Sequence, residues 1–251
     1  MYIFSFNRFA WFDRVFKLKN FENKELQKLL VRWNLLKYQD DMFLCLWDEI
    51  SFQEQYQYLY EIKESDLSLI SKSFLTDETL DMVNWMVYRR YSSYKSVLKY
   101  FVSFDIEWLM SRWKLQIKKT KIKNNEIKIQ SWKFEISAEK IDGQQLIIFP
   151  DLWTLFNTMD EDILSAKWNI FLKSNDTQNQ KDKKWWMIKN GEIKNVFCTH
   201  SEIFQDWNDL KKIILIDPYK RYYENQQDPR YSVNEVVKKM LEIYWAKFEI
   251  W

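Results

Sequence analysis

The sequence predicts an α+β protein: two small α+β domains, residues 76–165 and 166–251, preceded by a helical N-terminal extension, residues 1–75. Three observations lead there. Apolar residues at helical spacing mark the first third, alternating strand-like runs enter after residue 113, and the chain closes on a capped helix followed by a short alternating segment. A length of 251 residues, 47% of them hydrophobic and 29% charged, suffices for one or two modest cores and is too apolar for a disordered chain.

In the extension, Leu26, Leu29, Leu30 and Trp33 recur at i, i+3, i+4, i+7 and fall on one stripe of a helix. A second helical stretch is expected over Gln53 to Ile62, and the polar segment 63–76 reads as a boundary. Thr76 can then cap a helix with Asp77 and Glu78 in its first turn, Leu80, Val83 and Val87 on its apolar side, and Arg89 and Arg90 at its end. Ser96 to Val102 reads as extended, and Ile106, Leu109, Met110 and Trp113 mark another helix. The segment Lys114 to Glu135 alternates isoleucine with lysine around Lys123-Asn124-Asn125, which suggests a hairpin within an insertion over 116–160. The first domain thus reads helix, strand, helix, strands.

For the second domain, Asp151 to Leu164 predicts a short helix on its approach, and Trp168 to Leu172 a strand followed by a polar loop, Ser174 to Asp182. Trp185 to Ile188 and Ile193 to Cys198 flank Asn190-Gly191, the pair favoured in a two-residue turn, so a hairpin is expected. Lys212 to Ile216 predicts a strand stopped by Asp217-Pro218, because proline has no amide to give a ladder. Ser232 and Glu235 have capping-box spacing ahead of a helix to Ile243, with Val236, Val237, Met240 and Leu241 inward. Ala246, Phe248 and Ile250 alternate with Lys247 and Glu249 as a final strand. The strands of this domain are expected to be antiparallel.

Composition excludes several chemistries. Two glycines, Gly143 and Gly191, cannot write a phosphate loop, a dinucleotide fingerprint or a nucleophile elbow. One histidine, His200, and two distant cysteines, Cys45 and Cys198, supply neither the usual zinc site nor a disulfide framework, so no metal and no cofactor is expected. Asp160-Glu161-Asp162 and Asp40-Asp41 read as solvated carboxylates rather than an acid–base pair, and no catalytic residue is expected. The most apolar run, Leu146 to Phe156, is broken by Pro150 and Asp151 and falls short of the roughly 20 residues of a membrane span. No membrane partner or small-molecule substrate follows, and Asp13 with no small-residue cleavage site argues against a removable signal.

With 38 Lys and Arg against 36 Asp and Glu, any nucleic-acid contact has to be local. The chain has 30 Lys against 8 Arg, and only 4 Ala, 2 Gly and 3 Pro, the mark of a very AT-rich gene. Its 14 Trp are hard to encode in such a gene unless a second, AT-rich codon also reads as Trp, which points to a protist mitochondrial genome. Tyr219, Tyr222 and Tyr223 flank Lys220 and Arg221 after a strand, where rings that stack on bases sit beside charges that seek phosphate. The hairpin lysines Lys118, Lys119, Lys121, Lys123 and Lys128 read more simply as a solvated edge.

The order of motifs over residues 76–251 resembles ribosomal protein eight of the bacterial-type small subunit, a two-domain α+β RNA-binding family. Asp81-Met82 precede Val102-Ser103 as the family's Asp-Met pair precedes Pro-x-Ser, with the proline missing. Asn169-Ile170-Phe171-Leu172-Lys173 is similar to its Arg-Ile-Tyr-Leu-Lys strand. Lys189-Asn190-Gly191 and Lys194-Asn195-Val196-Phe197 are similar to its Lys-Pro-Gly turn and Arg-Val-Tyr-Val strand. Asn208-Asp209-Leu210 through Ile216 resemble the strand before the family's RNA-contact loop, here Asp217-Pro218-Tyr219-Lys220-Arg221, and Ser232 to Val236 and Phe248 to Trp251 resemble its last helix and strand. The loop's hydroxyls are replaced, the Gly-Gly before the last strand is Ile243-Tyr244, and residues are inserted after Arg221.

The resemblance implies a structural constituent of the mitochondrial small ribosomal subunit, in the matrix, bound to the central domain of small-subunit ribosomal RNA and to neighbouring small-subunit proteins. It implies Tyr219, Lys220, Arg221, Asn208 and Lys189 as RNA contacts of the second domain and Arg89, Arg90 and Lys95 as those of the first. A soluble accessory subunit of a respiratory or ATP-synthase complex is the alternative that neutral charge and aromatic content leave open.

Overall fold

The computed structural model describes residues 2–5, 15–17, 34–38, 41–47, 67–71, 74–90, 92–102, 128–130, 135–137, 142–159, 163–164, 167–226 and 229–251. Helices and strands are mixed, with one antiparallel and one parallel five-stranded sheet, so the α+β expectation holds. The chain divides into two compact units, one of residues 1–80 with 93–95 and one of residues 81–92 with 96–251.

In the first unit, β1 (Tyr2–Ser5), β2 (Val15–Lys17), β3 (Leu35–Tyr38), β4 (Asp41–Trp47) and β5 (Leu67–Ser71) form an antiparallel sheet in the order β2-β1-β4-β3-β5. The sequence predicts a helical extension; its described residues 2–71 are mostly strand. Short apolar runs such as β3 and β4 do not reveal their period. Pairing from Tyr38 opposite Asp41 to Leu35 opposite Leu44 accompanies the burial of Leu35, Leu36, Leu44 and Cys45, a benefit no local pattern shows. The stripe Leu26 to Trp33 and the stretch Gln53 to Ile62 lie outside the described residues.

Helix α1 (Asp77–Arg90) forms as expected: the Thr79 amide donates to Thr76 Oγ1 at 3.2 Å, with acids in the first turn and Arg89 and Arg90 in the last. The segment expected to be extended is instead α2 (Tyr94–Phe101). Tyr94, Val97, Leu98 and Phe101 are buried at i, i+3, i+4, i+7, so a helical stripe wins over the β-propensity of its valine and aromatics. β6 (Lys128–Gln130) and β7 (Glu135–Ser137) pair antiparallel, while the expected turn at Lys123 to Asn125 and helix at Ile106 to Trp113 lie outside the described residues.

The second unit is built on β8 (Gln144–Phe149), β9 (Asn169–Phe171), β10 (Asn195–Thr199), β11 (Leu210–Leu215) and, after the small antiparallel pair β12 (Glu224–Asn225) and β13 (Tyr231–Ser232), β14 (Lys247–Ile250). Their order is β14-β11-β8-β10-β9, and every pair is parallel. This corrects the expected antiparallel strands and the connectivity implied by the family resemblance. The expected boundary at 165 also falls inside this sheet, between β8 and its partners.

Parallel neighbours need crossovers, and these contain α3 (Leu152–Thr158), α4 (Gln178–Lys189) and α5 (Val233–Tyr244). Helix α4 replaces the expected polar loop and the first arm of the expected hairpin. Its N-terminal half is mostly polar, while Trp185, Trp186, Ile188 and Lys189 are buried at its end, so the sequence shows no steady 3.6 period. The Thr177 hydroxyl caps it by accepting from the Gln180 amide at 3.4 Å, while Gln180 Oε1 accepts from the Thr177 amide at 2.9 Å.

Asn190-Gly191 closes this helix rather than a hairpin. The Glu192 amide donates to Met187 O and the Gly191 amide to Ile188 O, both at 2.9 Å, with Gly191 at φ +70°, a left-handed helix stop that glycine adopts without strain. The capping box expected at Ser232 is absent: Ser232 makes no side-chain cap, and Glu235 turns to Arg90 instead. Helix α5 itself forms, burying Val236, Val237 and Met240.

β8 and β10 are buried along their whole length, as strands covered on both faces must be. One face carries Ile147, Phe149, Phe171, Phe197, Ile214 and Ile216 against Leu155 and Met159. At the amino ends of the strands a single amide joins three segments. Gln144 Nε2 donates to Ile188 O at 2.8 Å and Ile193 O at 3.0 Å, while its Oε1 accepts from the amides of Asn208 at 2.9 Å and Asp209 at 3.1 Å. Beside it, Lys189 and Asp206 form a buried ion pair, with side chains 7% and 0% exposed.

Gln144→Leu removes the side-chain partner of four backbone groups, but Ile188 O keeps the Gly191 amide, and the Asn208 and Asp209 amides are only part-buried. The unfolding free energy should therefore fall by about 1–3 kcal/mol in urea titration, the cost of roughly one buried group left unsatisfied. Lys189→Ala strands the Asp206 charge and should cost about 3–5 kcal/mol, much of it restored in a Lys189→Met, Asp206→Leu double variant. Burial holds the His200 imidazole below 6.5. The unfolded chain therefore takes that proton first, and the histidine's share of stability is full above pH 6.5 and lost as pH falls through the folded value. Burial raises the Glu202 carboxyl, which acts in the opposite sense, so the imidazole resonances of the single histidine are the readout, with a midpoint below 6.5.

Candidate nucleic-acid interface

The chain leaves β8 toward β9 on one side of the sheet and leaves β11 toward β14 on the other. The carboxyl ends of the adjacent strands β8 and β11 therefore mark a reversal of winding, the place where open parallel sheets form a crevice between diverging connections. Pro150 and Asp151 follow β8, and the loop 216–220 follows β11.

Asp151 opens α3 as its cap, accepting from the Thr154 amide at 2.6 Å. The loop after β11 is held from beneath. Tyr223 OH lies 3.2 Å from Ile148 O and against Ile216 O, bridging the two strand ends, and burial pushes this phenol well above its usual range, so it stays protonated. Asp217 sits at φ +49°, a conformation costly for a residue with a side chain, fixed by its amide donating to Trp251 O at 2.7 Å. Asn234 at the start of α5 donates to Pro218 O at 3.4 Å.

This support projects Tyr219 and its neighbours outward. Tyr219 is 94% exposed, Tyr222 61% exposed, and Arg221 is exposed. Lys220 leans back onto the strand ends, with Nζ 3.3 Å from Thr154 Oγ1, 3.4 Å from Asp217 Oδ2 and 3.9 Å from Asp151 Oδ2. The cation is thereby held at the surface between two carboxylates that partly offset it. The contact with Thr154 joins the loop to α3, whose Trp153 is 73% exposed.

The residues expected as RNA contacts do not all gather here. Tyr219, Lys220 and Arg221 form the exposed tip. Arg90 pairs with Glu235 at the start of α5, and Arg89 lies 3.7 Å from the same carboxylate, so both arginines stand where α5 begins but spend charge on an internal partner. Lys95 lies on α2. Asn208 and Lys189 are at the opposite, amino edge, separated from the tip by the length of β11, roughly 20 Å at about 3.3 Å per residue. Asn208 is exposed there, whereas Lys189 is buried against Asp206 and stacked 5.6 Å from the Trp185 ring, which removes it as a phosphate contact.

Asp151, Trp153, Thr154 and Asn234 belong to the tip and were not expected. A cap at Asp151 with Thr154 three residues on is a readable local signal, but its adjacency to Lys220 is set by β8 pairing with β11. Among the described residues no helix is long and apolar enough to cross a membrane, and no group of three or more histidine, cysteine or acidic side chains could hold a metal ion. No protein-family model matches the chain, and no curated protein matches it either.

Proposed function

We propose that this chain is a non-catalytic RNA-binding protein, a structural constituent of a mitochondrial small ribosomal subunit, that contacts ribosomal RNA through the tip Tyr219–Arg221. The observation that carries the RNA contact is the near-complete exposure of Tyr219 beside Lys220 and Arg221. A phenol ring left in water forgoes burial, and next to cations it offers a base a stacking surface and a ribose a hydrogen-bond partner. Trp153, linked to the loop through Thr154 and Lys220, supplies a second exposed ring. The assignment to a mitochondrial ribosome draws on the composition of an AT-rich gene with abundant tryptophan and on the order of sequence motifs.

The net charge of +2 is low for binding a polyanion. A local contact meets this difficulty: affinity then rests on a few phosphates and on stacking, with a shallow dependence on salt.

In sucrose gradients of mitochondrial extract, the protein should comigrate with the small ribosomal subunit and shift when ribonuclease is added. Cofractionation with membrane complexes that survives ribonuclease would reject the ribosomal assignment in favour of a respiratory accessory subunit. With ribosomal RNA fragments, Lys220→Ala and Arg221→Ala together should lower the log–log salt slope by about 1.4–1.8, at roughly 0.7–0.9 per phosphate contact. Tyr219→Ala should weaken binding by about 1–3 kcal/mol with that slope unchanged. Asp217→Asn keeps a residue that tolerates positive φ and removes one carboxylate from Lys220, so RNA affinity at low salt should rise.

A further inference from the structure

We propose that a cleft at the carboxyl ends of β9 and β10 binds a nucleotide, its base against Trp185 and Tyr100 and its phosphate between Lys99 and Lys173. The cleft encloses about 380 Å³, within the range of about 300–1,000 Å³ usual for small-molecule sites. It is separate from the tip. Leu172 and Lys173 reach it from β9, Ser201 and Glu202 from β10, and the amino half of α4 and the last turn of α2 close its sides.

Its charges sort into an engaged interior and a cationic mouth. Inside, Asp176 pairs with Lys184, Asp182 Oδ1 accepts from Gln178 Nε2 at 2.7 Å, and Glu202 lies 4.0 Å from Lys181. At the mouth, Lys99 and Lys173 are exposed, and neither has an acidic partner among the described residues. Each ammonium stands over a ring instead, Lys99 at 5.2 Å from the Tyr100 centroid and Lys173 at 5.3 Å from that of Phe171. Both lysines line the cleft, and with no carboxylate paired to either ammonium among the described residues they suit a phosphate group.

The walls suit a base. Phe204 buttresses Tyr100 edge-on at 5.6 Å and Tyr231 at 5.0 Å, which fixes an aromatic floor behind the cationic mouth. Gln205 lines the same cleft, is 8% exposed, and its Oε1 accepts no hydrogen bond among the described residues. An exocyclic amino group of a base supplies the donor that this oxygen lacks. A simple anion would use the lysines alone, and an uncharged aromatic molecule would use neither lysine.

Calorimetric titration of the full chain with adenosine monophosphate, inosine monophosphate and ribose 5-phosphate tests the site. The adenine nucleotide should bind at least about tenfold more tightly than ribose 5-phosphate and more tightly than the inosine nucleotide, which lacks the amino group. Lys99→Ala with Lys173→Ala, both surface changes, should weaken it at least about tenfold, and Gln205→Leu should abolish the preference over inosine. Lys220→Ala with Arg221→Ala should leave it unchanged, so this site and the RNA tip stand or fall separately. Competition by a 5′-phosphorylated adenosine tetranucleotide would identify the ligand as an unstacked nucleotide of RNA, and its absence a free nucleotide. Equal binding of adenosine monophosphate and ribose 5-phosphate, no nucleotide binding at millimolar concentration, or an unchanged affinity in the lysine double variant would overturn the proposal.

Discussion

The enclosure of β8 is the constraint on which the second unit depends. Its residues are buried on both faces, and both of its edges are hydrogen-bonded, to β10 on one side and β11 on the other. Every partner it needs arrives later in the chain and runs in the same direction. A parallel neighbour cannot be reached by a tight turn, so the intervening segments must cross back over the sheet, and they do so through α3, α4 and α5. The helices are consequences of this requirement as much as of their own propensities, most plainly in α4, whose buried apolar residues all fall in its last turns.

The same constraint divides the unit into two edges of different character. At the amino edge the central polar groups are matched: the Gln144 amide serves four backbone groups, and Lys189 and Asp206 neutralise each other, while Asn190 Oδ1 and Trp207 Nε1 are buried there with no hydrogen bond among the described residues. Matched burial of this kind stabilises the register of three segments at once and leaves little chemistry to offer a partner. At the carboxyl edge, the strands end in diverging connections, and beside the buried Tyr223 and the Asp176–Lys184 pair several groups are exposed or only partly offset. Tyr219 and Arg221 face water, Lys220 is shared between two carboxylates, and Lys99 and Lys173 rest over rings. Side chains that are exposed or only partly offset thus gather at this edge.

Much of the element inventory is legible locally. The cap at Thr76, the acidic first turn of α1, the strands around Ile170 and Ile213, the stop at Asp217-Pro218 and the helix after Ser232 each have a nearby cause. The errors share a physical origin. Asn190-Gly191 supplies a left-handed residue that suits a hairpin or a helix end equally, and only the bonds from Gly191 and Glu192 back into α4 decide between them. Glu235 has capping spacing, but an arginine from α1 competes for its carboxylate and prevails. Lys189 reads as a surface cation until Asp206, distant in sequence, is placed against it.

By itself the sequence determined which chemistry is affordable: too few glycines and too lone a histidine for the familiar loops and ligand sets, and an aromatic-cationic segment after a strand. These follow from residue identity and short-range spacing, which need no fold. Tertiary structure alone decided strand direction, the pairing of β8 with β11, the burial of Lys189 and the exposure of Tyr219. Direction and burial depend on which distant segment covers a face, and the free energy of that choice is spread over contacts that no local window contains.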